Sequence, residues 1–471
     1  MRTIRTTTNA VFVLLVAVAG AACGDSSGSA TADGGQTGSG APDATTGDAR
    51  SPEGGGAPDA AGGAEGGAGA TGDSGPAADT GAGDGAVPTV CTGPARPQLT
   101  DAEAAQQTVL AYLAQAGSFA VAGGLTTDNW DPTAGVGDTS TFTPTFTVAA
   151  TGGTHTTVQA AITAAVAQGG TSRVYVKVEP GTYREVVCVP AGAPPITLYG
   201  GGTDPTQTVI AFDNYNGEAA DSGAPSNPCA PPGAATFGTA GSATFAALAN
   251  DFQAANVTFS NDVTAATLGG TSGTQAVALY TLADRVVLDD VHVLGHQDTL
   301  YIETPSSNSV VRAYVKNSLV AGDVDFIFGG ATMVFDGCQI QSVSDRRAPT
   351  TVLSPSTDSR NPFGMLVVNA QFTADANTQA ASADLGRAWD RSCVDVPTYV
   401  SSCVAAGHYP NGQALVRESM LGAHIAAAPW VASATTKRPY CSVSWACVAD
   451  GGTCPANRLF EYKNTGPGSA P

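Results

Sequence analysis

The chain has 471 residues, a formal net charge of −20, only 13% charged residues and 58 glycines. So acidic a chain lacks the basic face that replaces phosphate counterions, which argues against nucleic acid as a partner. Low charge with abundant Gly, Thr, Ala and Val favours turn-rich β structure over helical bundles, and length alone, which would suggest two or three domains, is a weak guide for repetitive β folds.

Residues 1–23 read as an export signal. Arg2 and Arg5 form a basic start, Ala10 to Ala19 a short apolar core, and Gly20, Ala21 and Ala22 precede Cys23. The apolar run is too short to span a membrane comfortably. Small residues before Cys resemble the lipobox of bacterial lipoproteins, although Gly20 stands where that motif usually has Leu. The expectation is a secreted or surface-tethered, outer-membrane protein whose only membrane contact is a lipid at Cys23. The simpler alternative is cleavage near Ala22 without a lipid.

Residues 24–90 are low-complexity Gly/Ala/Asp/Ser/Thr/Pro with no aromatic residue, so they cannot bury a core. Ten of the 40 acidic residues fall here, against one base, Arg50. A disordered, flexible stalk is expected. The folded part then begins at Cys91 and covers residues 91–471.

Thr100 is a good N-cap for a helix over Asp101 to Ala116, and Thr157 to Ala167 predicts a second. From Arg173 onward, short Val/Ile/Thr/Phe runs alternate with Gly, Asn and Asp. Among them are 173-RVYVKV, 208-TVIAF, 310-VVRAYVKN and 365-MLVVNAQF. An apolar strand followed by a small or Asn/Asp turn recurs in 254-AANVTFSN, 289-DDVHVLG, 313-AYVKNSLVAG and 335-FDGCQIQS. Repeats spaced by roughly two dozen residues predict stacked coils, each burying its face on the next. The expected class is all-β, a right-handed parallel β-helix with short N-terminal helices and long cleft-forming loops. A β-sandwich would favour two-residue Asn-Gly hairpins, which are scarce. Residues 212–244 and 376–412 are irregular insertions of the kind that shape clefts.

Ten cysteines leave nine if Cys23 carries a lipid. Proximity pairs Cys393 with Cys403, and two of Cys441, Cys447 and Cys454, but connectivity cannot be read from sequence. No C-x-x-C pair or metal-ligand His spacing is present, so no metal and no cofactor is expected. The absence of a G-x-S-x-G elbow removes support for a serine esterase.

Chemistry concentrates in 181-GTYRE, 275-QAVAL, 297-QDTLY, 322-GDVDFIFGGA and 385-LGRAW. Asp325 lies inside an apolar strand, where a carboxylate is either exposed in a groove or paired with a cation. Asp298 ends another strand, and Arg387 is the natural partner for one of the two. Gln275 and Gln297 are separated by about one coil, so they can face one cleft. Two aspartates, two amides and one arginine suffice for acyl transfer: an ionised nucleophile held so by Arg, a protonated partner, and oxyanion donors.

These five segments, in this order, resemble the signature blocks of the pectin methylesterase family, with similarity from about Phe146 to Gly468. The resemblance implies Asp325 as nucleophile, Asp298 as general acid/base, Gln275 and Gln297 as oxyanion site, and Arg387 as the group that orients Asp325. It implies Trp389 stacked on a galacturonate ring and Thr239 at a substrate-contacting position. Phe328 can add an apolar face, although Phe326 and Phe328 on one strand face read as packing. His296, Ala388 and Tyr280 depart from the usual Tyr, Pro and Arg, and Asp323 adds a carboxylate. Glu185 reads as structural, and Asp298 and Asp325 could instead be structural aspartates that cap turns or pair with Arg312. The expected reaction is hydrolysis of galacturonate methyl esters in pectin by a monomer. The rivals are a pectate lyase-like enzyme on the same fold and a non-catalytic, tethered pectin-binding protein.

Overall fold

A computed structural model describes residues 94–230, 232–233, 235–393, 407–433, 435–441 and 458–470. The expected export segment with Cys23, the expected stalk, and Cys403, Cys447 and Cys454, named as candidate disulfide partners, lie outside the described residues.

Thr100 caps a helix through a reciprocal pair of hydrogen bonds with Glu103. That helix covers only Asp101–Ala104, and Thr108 caps a second, Val109–Tyr112. The single helix expected to Ala116 is therefore corrected to two single turns. Gln115–Ser118 leaves the helix and pairs antiparallel with Leu125–Thr127 and Ser309–Val310, so tertiary pairing overrides a helical apolar spacing. The helix Val158–Gln168 forms as expected, with Thr157 as cap. Both oxygens of Glu185 accept from its free N–H groups, at Val158 (2.7 Å) and Gln159 (2.9 Å). A carboxylate at that positive end is the structural role expected for it.

The rest is a right-handed parallel β-helix of three sheets, one of ten strands and two of eight. The ten-strand sheet runs from Phe146–Val148 to Leu459–Tyr462, the second sheet from Gly181–Arg184 to Met420–Leu421, and the third from Val187–Val189 to Trp430–Val431. The chain visits them in rotation, as in Val286–Asp289, His292–Leu294 and Leu300–Ile302. All strand pairs within the three are parallel.

The recurring small or Asn/Asp residue is the corner between the first and second sheets. Asn256, Asp290, Asn317, Gly337 and Asn369 all have positive φ, between 49° and 65°. These residue types tolerate that backbone best. The amides of Asn256, Asp290, Asn317 and Gly337 bond to the next coil, as in Asp290 N–H to Lys316 O (3.0 Å) and Asn317 N–H to Asp336 O (3.0 Å). The interior is a continuous apolar stack in which Leu288, Val315, Phe335, Val367 and Val416 are fully buried. Fully burying such a side chain contributes about 1.5–3 kcal/mol.

Cys188 and Cys229 form a disulfide that ties the first insertion to the strand Val187–Val189, a pairing the sequence did not disclose. Cys393 and Cys441 each take part in a disulfide as well.

Candidate active site

The site lies on the third sheet, at the middle coils. Asp325 belongs to Val324–Gly329, whose register to Thr351–Pro355 shifts between Val324 and Ile327. Such a bulge re-aims side chains. Phe326 turns into the core while Phe328 joins an outer aromatic cluster. The expected shared face for Phe326 and Phe328 is therefore corrected, because the bulge breaks two-residue alternation. Gly322 makes room for it: an added Cβ would lie 2.2 Å from the Cβ of Phe326.

Arg387, at the end of Asp384–Arg387, grips Asp325 with both arms of its guanidinium: Nε to Oδ1 at 2.9 Å and Nη2 to Oδ2 at 2.6 Å. Bidentate, charge-assisted pairs of this kind are strong and fix orientation. The Asp325 side chain retains 14% exposure, so the carboxylate reaches the surface. Burial works against the Arg387 cation, yet its bonds to Asp325 and the charges of Asp325, Asp384 and Asp298 hold its pKa above the ordinary value.

Asp298 is on the neighbouring coil. It is 9% exposed, and its N–H donates to the carbonyl of Val324 (3.1 Å), the residue before Asp325. The glutamines occupy adjacent coils as expected: Ala276 N–H donates to the carbonyl of Gln297 (3.0 Å). The Oε1 of Gln275 is buried without a hydrogen-bond partner among the described residues. Thr239, half-buried on Gly238–Gly241, accepts from Asn216 Nδ2 (2.9 Å), and Asn216 N–H donates to the carbonyl of Gln275 (2.8 Å). Hydrogen bonds alternating with peptide links thus connect Thr239 and both glutamines to Asp298 and the residue before Asp325.

An aromatic wall flanks this array. Tyr280, Tyr301 and Phe328 occupy registered positions on three consecutive coils, with centroids 4.9 Å and 4.2 Å apart. Trp389 closes it, 5.7 Å from Phe328 and 6.3 Å from Tyr301, and remains half-buried. Arg391 lies over its ring and pairs with Glu303. Tyr301 stood inside a quoted motif, but its stacking role had no signature of its own.

Neither Asp298 nor Asp325 is a hydrogen-bond partner of Arg312. Arg312 is fully buried and binds Asp284 and Asp128 instead. Sequence reasoning missed Arg346 and Arg347, which flank Asp323, and of which Arg347 donates to Gln297 Oε1. Two adjacent arginines in a chain with 20 basic residues were the available signal. Among the described residues, no group of His, Cys, Asp and Glu is arranged to hold a metal ion.

A family model described as Pectinesterase matches residues 145–411. A pectinesterase of Ralstonia solanacearum is 47% identical over 379 residues, covering 79% of this chain and 91% of that protein. The chain belongs to the pectinesterase family. Pectinesterase B of Dickeya dadantii is 38% identical, over 78% of this chain and 89% of its own. The rice weevil pectin methyl esterase structure superposes with a TM-score of 0.63 at 31% identity, covering 80% of this chain and 98% of that one. A pectin methylesterase solved with a bound hexasaccharide gives 0.54 at 25% identity, covering 70% and 91%. The pectinesterase described here is accordingly a carboxylic ester hydrolase with pectin as its substrate.

Proposed function

We propose that this pectinesterase cleaves the methyl ester by double displacement at Asp325. The Asp325 carboxylate attacks the ester carbonyl carbon of a galacturonate unit. The carbonyl π electrons move to oxygen, and the amide N–H groups of Gln275 and Gln297 donate to that oxyanion. Asp298, protonated, gives its proton to the departing methoxide oxygen, so methanol leaves and an anhydride joins Asp325 to the sugar. Asp298, now ionised, takes a proton from water as water attacks the sugar carbonyl. Collapse frees the galacturonic carboxyl, returns Asp325 to its Arg387 pair and leaves Asp298 protonated.

The observation that carries this reading is the double hydrogen bond from Arg387 to Asp325, on a strand whose carbonyl at Val324 holds the backbone of Asp298. A guanidinium fork holds the carboxylate in one orientation for attack. The half-buried Trp389 and the nearly buried Phe328 supply apolar faces for a sugar ring, and Thr239 lies at the glutamine end of the groove. The test is methanol release from highly methylated pectin without added metal, beside a calcium-supplemented assay for unsaturated products. Methanol from the natural chain and none from Asp325→Ala, with both folded, supports the reading. Unsaturated products without methanol would reassign the groove to a lyase.

Localisation is proposed on the N-terminal pattern alone. Residues 1–23 direct export, Cys23 takes a lipid, and residues 24–90 act as a stalk holding the enzyme at the cell surface. Cys23→Ala is then expected to move the protein from the membrane to the soluble fraction; unchanged fractionation would remove the anchor.

A further inference from the structure

The proposed mechanism leaves unused a charged cluster directly behind the glutamines. Asp323 is completely buried two residues before Asp325. Its Oδ2 lies 3.3 Å from the Nε of both Arg346 and Arg347. Its N–H donates to the carbonyl of His296 (3.2 Å), the residue before Gln297. On the far side, Asp345 pairs with His296 Nε2 at 3.1 Å. From this base Arg347 extends Nη2 to Gln297 Oε1 (3.1 Å) and to Thr274 Oγ1 (3.0 Å), and Thr274 Oγ1 itself donates to Gln297 Oε1 (2.7 Å).

The donor inventory settles which way the amide faces. A guanidinium has no acceptor, so the Gln297 atom facing Arg347 is its oxygen. The Thr274 hydroxyl accepts from Arg347, which leaves its own proton for that same oxygen. Two independent donors therefore agree on one orientation, and the NH2 of Gln297 is left outside the cluster. A glutamine amide is nearly the same shape when flipped, and the flipped form would offer a lone pair to an oxyanion instead of a proton. Gln275 has no such clamp, since its Oε1 is without a partner among the described residues.

We infer that Arg347 and Thr274 are positioning residues that lock the Gln297 amide with its NH2 presented to the developing oxyanion, and that buried Asp323 holds Arg347 in place. The cation on Oε1 also polarises the amide and strengthens its N–H as a donor. Asp323 and His296, two departures from the family pattern, thereby acquire a role behind the site rather than in it. Burial raises the Asp323 carboxyl above its ordinary value, although Arg346, Arg347 and His296 pull against that rise.

The inference rests on the oxyanion role proposed for Gln297, and the experiment separates the two. The full chain is assayed on methylated pectin as Arg347→Met, Arg347→Lys, Thr274→Val, Gln297→Ala and the Arg347→Met/Gln297→Ala pair. Arg347→Met is expected to lower kcat roughly 10- to 100-fold, part of what losing an oxyanion donor costs, with KM within about twofold. Arg347→Lys should recover part of the loss, and Thr274→Val should show a smaller fall in kcat. In the Gln297→Ala background, Arg347→Met should add nothing, because the group it positions is gone. Unchanged kcat in Arg347→Met, or an undiminished effect in the double variant, overturns the inference. If Arg347→Met fails to fold, the neutral Thr274→Val carries the test, and an unchanged kcat there overturns it. A silent Gln297→Ala beside a dead Asp325→Ala removes the oxyanion assignment and the inference with it. An active Asp325→Ala removes the proposed mechanism itself.

Discussion

Asp298 and Asp325 share a left-handed backbone, with φ of 64° and 47°, on adjoining coils linked by the Asp298 N–H. Positive φ in a residue with a Cβ costs energy that the surrounding coils must hold, and such residues gather at functional sites. Asp and Asn bear this conformation better than other side-chain residues because their short polar groups bond locally.

Asn and Ala at position 325 are therefore expected to differ in stability while agreeing in activity. Asp325→Asn keeps a residue suited to the left-handed backbone and keeps one acceptor for Arg387. Asp325→Ala keeps neither, and should unfold about 1 kcal/mol more easily than the Asn variant. Both should release no methanol. Urea titration of the two proteins, with parallel activity assays, checks the pair; equal midpoints would mean that the backbone at 325 is not under strain.

Arg387 tests whether charge alone or the fork matters. Lysine preserves a cation but contributes a point charge where Arg387 makes two parallel bonds at 2.9 Å and 2.6 Å. Arg387→Lys should lower kcat by roughly 10-fold or more, since Asp325 is no longer held in one orientation. Steady-state kinetics on methylated pectin decide it, and full activity in the lysine variant would show that a positive charge suffices.

Arg312 ties the N-terminal segment to the coils. It donates to both oxygens of Asp284, both oxygens of Asp128 and the carbonyl of Leu113, all from a fully buried position. The hydrogen bonds from Arg312 hold Asp128 down at about 2, against an ordinary 3.8. Arg312→Met strips those bonds and leaves Asp284 nearly buried without its main partner, so a loss of about 3–5 kcal/mol is expected. Denaturant unfolding measures it; a loss under about 1 kcal/mol would mean that the network is not structural.

Much of the fold was legible because one physical constraint repeats. From Asn256 onward each passage out of the first sheet turns through a left-handed corner, and Asn256, Asp290, Asn317 and Asn369 advertise it. The same corner at Glu418 and Lys463 carries no such mark, since neither residue type favours positive φ. The aspartates, glutamines and Arg387 were legible as a set of chemical types in order. The clamp on Gln297 was not, because Arg347 meets it only through parallel stacking of distant segments. The helix expected to Ala116 failed for the same reason: a partner strand at Ser309–Val310 claims that segment, and no local pattern announces it.

Asp384 gives the pH dependence a sign. Burial raises its carboxyl to about 6, against an ordinary 3.8, with Arg387 pulling downward. The folded chain then favours the protonated form more than the unfolded chain does. Between pH 3.8 and about 6 the folded state binds more protons, so this group's contribution to stability declines as pH rises through that window. Asp384→Asn removes the titration while keeping the shape. It should leave stability nearly unchanged below pH 3.8 and raise it, relative to the natural chain, above about pH 6. Unfolding midpoints measured on both sides of the window check this. A variant that is weaker at the alkaline end would mean that the ionised carboxylate stabilises through Arg387 more than its burial costs.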